Sequence, residues 1–282
     1  MAGTVPQYGF LTDRSDRLKG ASLLVLGVDT STPVTSVAVG TDAGPLASAA
    51  VRNDRAHAEL LAPLVAWTLE QAGIDGSALG GVAVGVGPGL FTGLRVGVSG
   101  AKALAQAWRL PMVAVPSLDL LAFAQRHAKR TICAMIDARR GELFAALYRP
   151  VHGGVVRVTD YQVIRPDQLA AGLQARGGSV LLCGDGALRY HSAFEHLGED
   201  VEVTGPGWAA PSAVALVELA LLRFHREEFT HPFDVSPLYL RRPDVDPAVE
   251  RRLAAEHHAA KGDAAKGDAA NAAAGTHEAA GA

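Results

Sequence analysis

The sequence predicts an α/β protein of two similar lobes, and three observations carry that prediction. From about residue 22 to 243, short apolar runs of strand length alternate with amphipathic segments of helix length. VDTSTPVTSVAV (28–39) has a counterpart in IDARRGELFAAL (136–147): each is an apolar strand ending in Asp, a polar turn, then a second apolar strand. GVAVGVGPGL (81–90) is matched in the same order by SVLLCGDGAL (179–188), a buried strand followed by a glycine-broken loop and a helix start. Two matches in one order mark an internal duplication, with the two lobes facing a cleft.

The elements follow from local pattern. Residues 23–29 and 35–40 read as strands around a turn at 31–33, and 45–51 reads as a third strand. A helix is expected over 56–72, with Asn53 or Asp54 near its start and Gly73 at its end. A buried strand at 81–87, a glycine loop, a helix running to Trp108, a short strand at 111–115 and a helix from Ser117 complete the first lobe, 22–118. The second lobe is expected over 119–243. Residues 1–21 show no clear period, and 244–282 contain AAKGDAAKGDAA with no large apolar residue beyond Leu253. Both are expected to be disordered, since such segments bury too little to offset their ordering entropy.

Composition excludes several classes. Half the residues are apolar, 49%, enough for a core, and the formal charge of −3 supplies no basic field for nucleic acid. Cys133 and Cys183 lie inside apolar runs with no metal-binding spacing. The apolar run 21–28 falls short of the ~20 residues that span a bilayer, and it lacks the flanks of a signal peptide. A soluble, cytoplasmic protein without membrane contact is expected.

The motifs narrow the reading. An aspartate closing the first strand of each half resembles the actin-like (ribonuclease H-like) ATPase and sugar-kinase superfamily. VDTST (28–32), HAELLAP (57–63), GPGLFTGLRVG (87–97) and PLYLR (237–241) resemble the TsaB (YeaZ) family of bacterial threonylcarbamoyladenosine-biosynthesis proteins over about residues 22–243. Leu90 departs from that family, which usually has serine there; the related catalytic family, TsaD, has GPGL. The resemblance implies a non-catalytic subunit in forming N6-threonylcarbamoyladenosine at position 37 of tRNAs reading ANN codons. It also implies pairing with and activating catalytic TsaD, with the ATPase TsaE joining. ATP and metal belong to those partners, tRNA is met only through the complex, and the subunit forms a homodimer when alone.

The competing reading is a self-sufficient kinase or metallohydrolase. TsaD carries two histidines four apart on one helix face, a spacing at which both imidazoles reach one ion. Here that stretch is VPSLDLLA (115–122), with Ser117 and Leu121 at the two positions, and no two of the ten histidines are four apart. No metal ligands and no catalytic residues are therefore assigned. Phosphate-transferring relatives want a glycine in the first turn, whereas this turn is Asp29-Thr30-Ser31-Thr32. Asp29 and Asp137 could coordinate Mg²⁺ or activate water, but the simpler reading is that each ends a strand and caps its turn. Lys102 lies deep in its helix, so no P-loop is formed. Asp29, Gly87, Gly89 and Gly93 remain weak candidates for nucleotide contact.

The helix after the glycine loop carries an apolar stripe (Leu94, Val98, Ala101, Ala105, Trp108) and a second stripe of small residues, Gly93, Gly97 and Gly100, ending at Leu104. Each interior glycine costs about 0.8–1.0 kcal/mol of helix stability. A groove for another backbone would offset that cost, whether the chain's own neighbouring helix or a partner's. The preceding helix has an inward stripe of Ala58, Leu61, Val65, Leu69 and Ala72. A second stripe of Leu60, Leu64 and Trp67 points elsewhere, flanked by His57 and Gln71 at its rim. A helix apolar on two faces is usually buried on both. The two second stripes are therefore expected to form a partner-docking patch, with Trp67 as its anchor.

Overall fold

Strand β1 (Val25–Asp29) is buried at every residue, which is why it reads as a continuous apolar run rather than an alternation. It pairs antiparallel with β2 (Val34–Thr41) and parallel with β4 (Gly81–Gly85). With β3 (Gly44–Arg52) and β5 (Met112–Val115) the sheet order is β3-β2-β1-β4-β5. β3 is the half-exposed edge and tolerates Pro45.

The second sheet repeats this plan. β6 (Thr131–Arg139) pairs antiparallel with β7 (Glu142–Val151) and parallel with β10 (Val180–Cys183), and β11 (Val201–Val203) lies beyond β10. With β8 (Gly154–Arg157) at the far edge, the order β8-β7-β6-β10-β11 matches the first sheet strand for strand. The one difference is at the edge. β8 pairs with the end of β7 and β9 (Gln162–Ile164) with its beginning, so two short strands stand where the first sheet has continuous β3. The fold is α/β, a duplicated two-lobed actin-like architecture.

A computed structural model describes residues 22–241, which belong to one compact unit. The expectations for 1–21 and for 244–282 lie outside the described residues. Among the described residues no helix is long and apolar enough to cross a membrane.

Helices α1 (His57–Gln71) and α2 (Phe91–Trp108) cover one face of the first sheet, packing Leu61, Val65, Val98 and Ala101 onto Leu26, Val28, Val82 and Val84. α4 (Pro166–Arg176) and the five-residue α5 (Asp185–Arg189) cover the outer face of the second. The remaining two helices cross over. α3 (Ser117–Ala124), which follows the first sheet, packs Leu118, Leu121 and Ala122 on Ile132, Ala134 and Ile136 of the second. α6 (Ala213–His225), which follows the second sheet, packs Leu216, Val217 and Phe224 on the first. Gly27 and Gly81 make room for it: a Cβ at Gly27 would meet Val217 at 2.9 Å, and one at Gly81 would enter the Phe224 ring. The first lobe is thus completed by residues 213–225, which the sequence assigns to the second. Periodicity shows that a helix is buried but not against which sheet.

Candidate functional site

The glycine loop and the first turn are built around each other. Asp29 is 1% exposed; its Oδ1 accepts from the Ser31 N–H (3.0 Å) and Ser31 hydroxyl (2.8 Å), and its Oδ2 from the Ser117 hydroxyl (3.2 Å). Ser117 Oγ in turn accepts from the Gly87 N–H at 3.1 Å, and the Ser117 N–H donates to the Gly87 carbonyl at 2.7 Å. Asp29 therefore ties strand, loop and the start of α3 together. Gly85 lies against its carboxylate, where any Cβ would collide with Oδ2.

The other glycines have equally local reasons. A Cβ at Gly89 would strike the Ser31 carbonyl, one at Gly93 the Thr30 carbonyl, and one at Gly97 the Thr30 hydroxyl. The Thr30 hydroxyl donates to the Gly93 carbonyl at 2.7 Å, and the Leu90 N–H donates to the Ser31 carbonyl at 2.7 Å. At Gly87 the φ of +100° is a conformation that glycine adopts at low cost. The loop is thus a seat for residues 30–31. Of the four candidates for nucleotide contact, Asp29 and Gly89 lie against Ser31, Gly93 against Thr30, and Gly87 against Leu94 and Leu238.

Two corrections follow for the docking patch. The stripe Gly93, Gly97 and Gly100 does not present a free groove: the first two hold Thr30, and Gly100 lies against Leu61 of α1. His57 is not at the rim. It is 4% exposed, with Nδ1 2.7 Å from the Thr35 hydroxyl of β2. Burial lowers its pKa, against a smaller raising influence of Asp54. Ala58, expected inward, is exposed. What stays at the surface is the outward face of α1. Trp67 is 47% exposed, Gln71 is exposed, Leu60 and Leu64 are half-buried, and Leu104 of α2 is half-buried beside the same core.

Asp137 holds the equivalent place in the second lobe. Its Oδ1 accepts from the Arg139 N–H (2.9 Å) and the Tyr190 hydroxyl (3.2 Å), while Arg139 and Arg189 lie within 3.5 Å of Oδ2. Asp185 accepts the Asp137 N–H at 3.0 Å, and burial raises its pKa. Both strand-end aspartates thus cap their turns. Among the described residues no group of three or more His, Cys, Asp or Glu is placed to hold a metal ion.

Sequence alone did not reveal the electrostatic state of Asp29. Burial pushes its pKa from 3.8 up to about 6, against the lowering effect of the Ser31 and Ser117 hydrogen bonds. A carboxyl with a raised folded-state pKa contributes stability that is fully present below its unfolded value and is lost as pH rises through about 6. The Asp29→Asn variant, neutral throughout, is expected to flatten the stability change between pH 4 and 6. Urea midpoints across that range check this; an unchanged slope would contradict it.

Residues 51–249 match the family model described as TsaD: tRNA N6-adenosine threonylcarbamoyltransferase. The tRNA threonylcarbamoyladenosine biosynthesis protein TsaB of Bacillus subtilis is 30% identical over 227 residues, covering 79% of this chain and 96% of that protein. Its Escherichia coli namesake is 28% identical over 223 residues, covering 77% and 94%. The solved structure of YeaZ from Pseudomonas aeruginosa superposes with a TM-score of 0.67 at 30% identity, over 78% of this chain and all of that one. The chain belongs to the TsaB (YeaZ) family of tRNA threonylcarbamoyladenosine biosynthesis proteins.

Proposed function

We propose that this chain serves N6-threonylcarbamoyladenosine formation at position 37 of ANN-decoding tRNAs as a non-catalytic subunit that pairs with TsaD and activates it. The observation that carries the reading is the use of α3. At the two positions where the catalytic relatives carry metal-binding histidines, Ser117 hydrogen-bonds Asp29 and the glycine loop, and Leu121 is 2% exposed in the second sheet's core. That helix face is committed to packing, and leucine offers a metal no lone pair. ATP and metal then belong to the partner subunits, TsaE joins the assembly, and tRNA is met through the complex in the cytoplasm.

The outward face of α1 supports the pairing. An exposed Trp67 on the same helix face as half-buried Leu60 and Leu64 is an aromatic of the kind that anchors a partner, and in the partner's absence it would serve a homodimer. The test is direct. The purified chain, given tRNA, the activated threonylcarbamoyl donor, ATP and a panel of divalent metals, is expected to yield no modified nucleoside. Transfer by this chain alone would overturn the reading.

A further inference from the structure

A cavity of about 440 Å³ lies between the C-terminal end of α3 and strand β11, at the starting end of β6. Asp137 stands near the other end of β6, roughly 20 Å along the strand, so the cavity is separate from the turn that Asp137 caps. Trp208 lines it and is 52% exposed, although tryptophan is among the more buried residue types. The ring is held on a tight turn. Pro206 opens a short 3-10 helix, the Trp208 N–H donates to the Gly205 carbonyl at 3.0 Å, and Ala209 beyond it is buried. Gly205 and Gly207 belong to the same turn, yet neither has a positive φ, and a Cβ at either would meet nothing within 4 Å. Neither packing nor backbone conformation calls for glycine here. What it does leave is bare backbone beside the indole, where a flat group can approach closely.

The charges in the lining favour an anion. His127, Lys129 and Arg130 come from the segment joining α3 to β6, against one carboxylate, that of Glu202 on β11. Glu202 engages Arg130 at 3.5 Å, whereas Lys129 is exposed and has no ion pair among the described residues. An apolar side chain of a protein partner would gain from Trp208 but not from these cations. A nucleotide gains from both, its base stacking on the indole and its phosphates meeting the ammonium and guanidinium. The cavity is also of the size that takes such a group.

We propose that this cavity holds one nucleotide of single-stranded RNA, with the base on Trp208 and the neighbouring phosphates on Lys129 and Arg130. The formal charge of −3 makes this a local contact rather than a general affinity for nucleic acid. Its assignment to a tRNA loop rests on the function proposed above; the stacking site itself does not. One such pocket binds weakly alone, and it serves as this chain's share of the complex's grip on tRNA.

The experiment titrates the full chain into a fluorescein-labelled single-stranded RNA of about eight nucleotides, followed by fluorescence anisotropy. Saturable binding is expected, weakening as salt rises. Trp208→Ala should weaken it about tenfold or more, while Trp208→Phe, which keeps a ring, retains most of the affinity. Lys129→Gln should weaken binding and lower the magnitude of the salt slope by about 0.7, the mark of one lost phosphate contact. Both positions are exposed, so the variants should melt with the parent. Unlabelled tRNA is expected to compete. Failure of tRNA to compete while the single strand still binds would overturn the assignment to tRNA and leave the pairing with TsaD untouched. No saturable binding, wild-type affinity in Trp208→Ala, equal affinity for duplex RNA, or a mononucleotide competing as strongly as the RNA would overturn the proposal.

Discussion

The Gly97→Leu variant is expected to lose about 3 kcal/mol of folding stability. Position 97 faces the Thr30 hydroxyl so closely that even a Cβ would overlap it, and Thr30 is fully buried. The larger side chain must displace the first turn, breaking the Thr30–Gly93 hydrogen bond. Overpacking of this kind costs about 1–3 kcal/mol, and leaving a buried polar group unpaired adds about 1–3 more. Leucine's better helix propensity returns less than ~1 kcal/mol. The net loss of ~3 kcal/mol is a large share of the ~5–15 kcal/mol that holds a domain together. Gly100→Ala is the control, since the group it meets is a Leu61 methyl at the end of a flexible side chain. Urea unfolding should show a collapse for the first variant and a small change for the second. A wild-type midpoint for Gly97→Leu would return this stripe to the surface and refute the packing described above.

The second large effect is on binding. Trp67→Ala is expected to weaken association with the catalytic subunit by about 2 kcal/mol, a roughly thirtyfold change in Kd. Its melting temperature should barely move, because the side chain is 47% exposed. Titration calorimetry alongside thermal melts separates the two. A variant that melts early and still binds at full affinity would show that Trp67 supports the fold rather than the interface.

The contrast between these two residues shows what the sequence could and could not reveal. Both lie on stripes visible from helical periodicity, and both stripes were expected to meet a partner. Periodicity gives a direction around the helix axis, not the identity of what lies there. Gly97 is covered by Thr30, 67 residues earlier in the chain, and that proximity exists only once β1 and α2 are side by side. His57 was misplaced for the same reason: the Thr35 hydroxyl that draws it inward belongs to β2. The strands themselves were legible because β1, β4 and β10 are buried along their whole length and must be apolar throughout. The duplication was legible because each central strand carries, at or near its end, an aspartate that caps its own turn, a local requirement. The crossing of α3 and α6 between sheets was not, since an apolar periodicity shows that a helix face is buried but not which sheet covers it.

The central proposal is that this chain supplies its catalytic partner with a surface rather than a reaction. It is tested most directly by measuring N6-threonylcarbamoyladenosine formed on tRNA by the catalytic subunit with TsaE, ATP and donor, with and without this chain. The account predicts that the modification depends on adding the chain. It also predicts that Trp67→Ala shifts the half-saturating chain concentration by the factor found for binding, while activity at saturation is restored. Full activity of the catalytic subunit without this chain, or a Trp67→Ala variant that binds normally and still abolishes turnover, would contradict it.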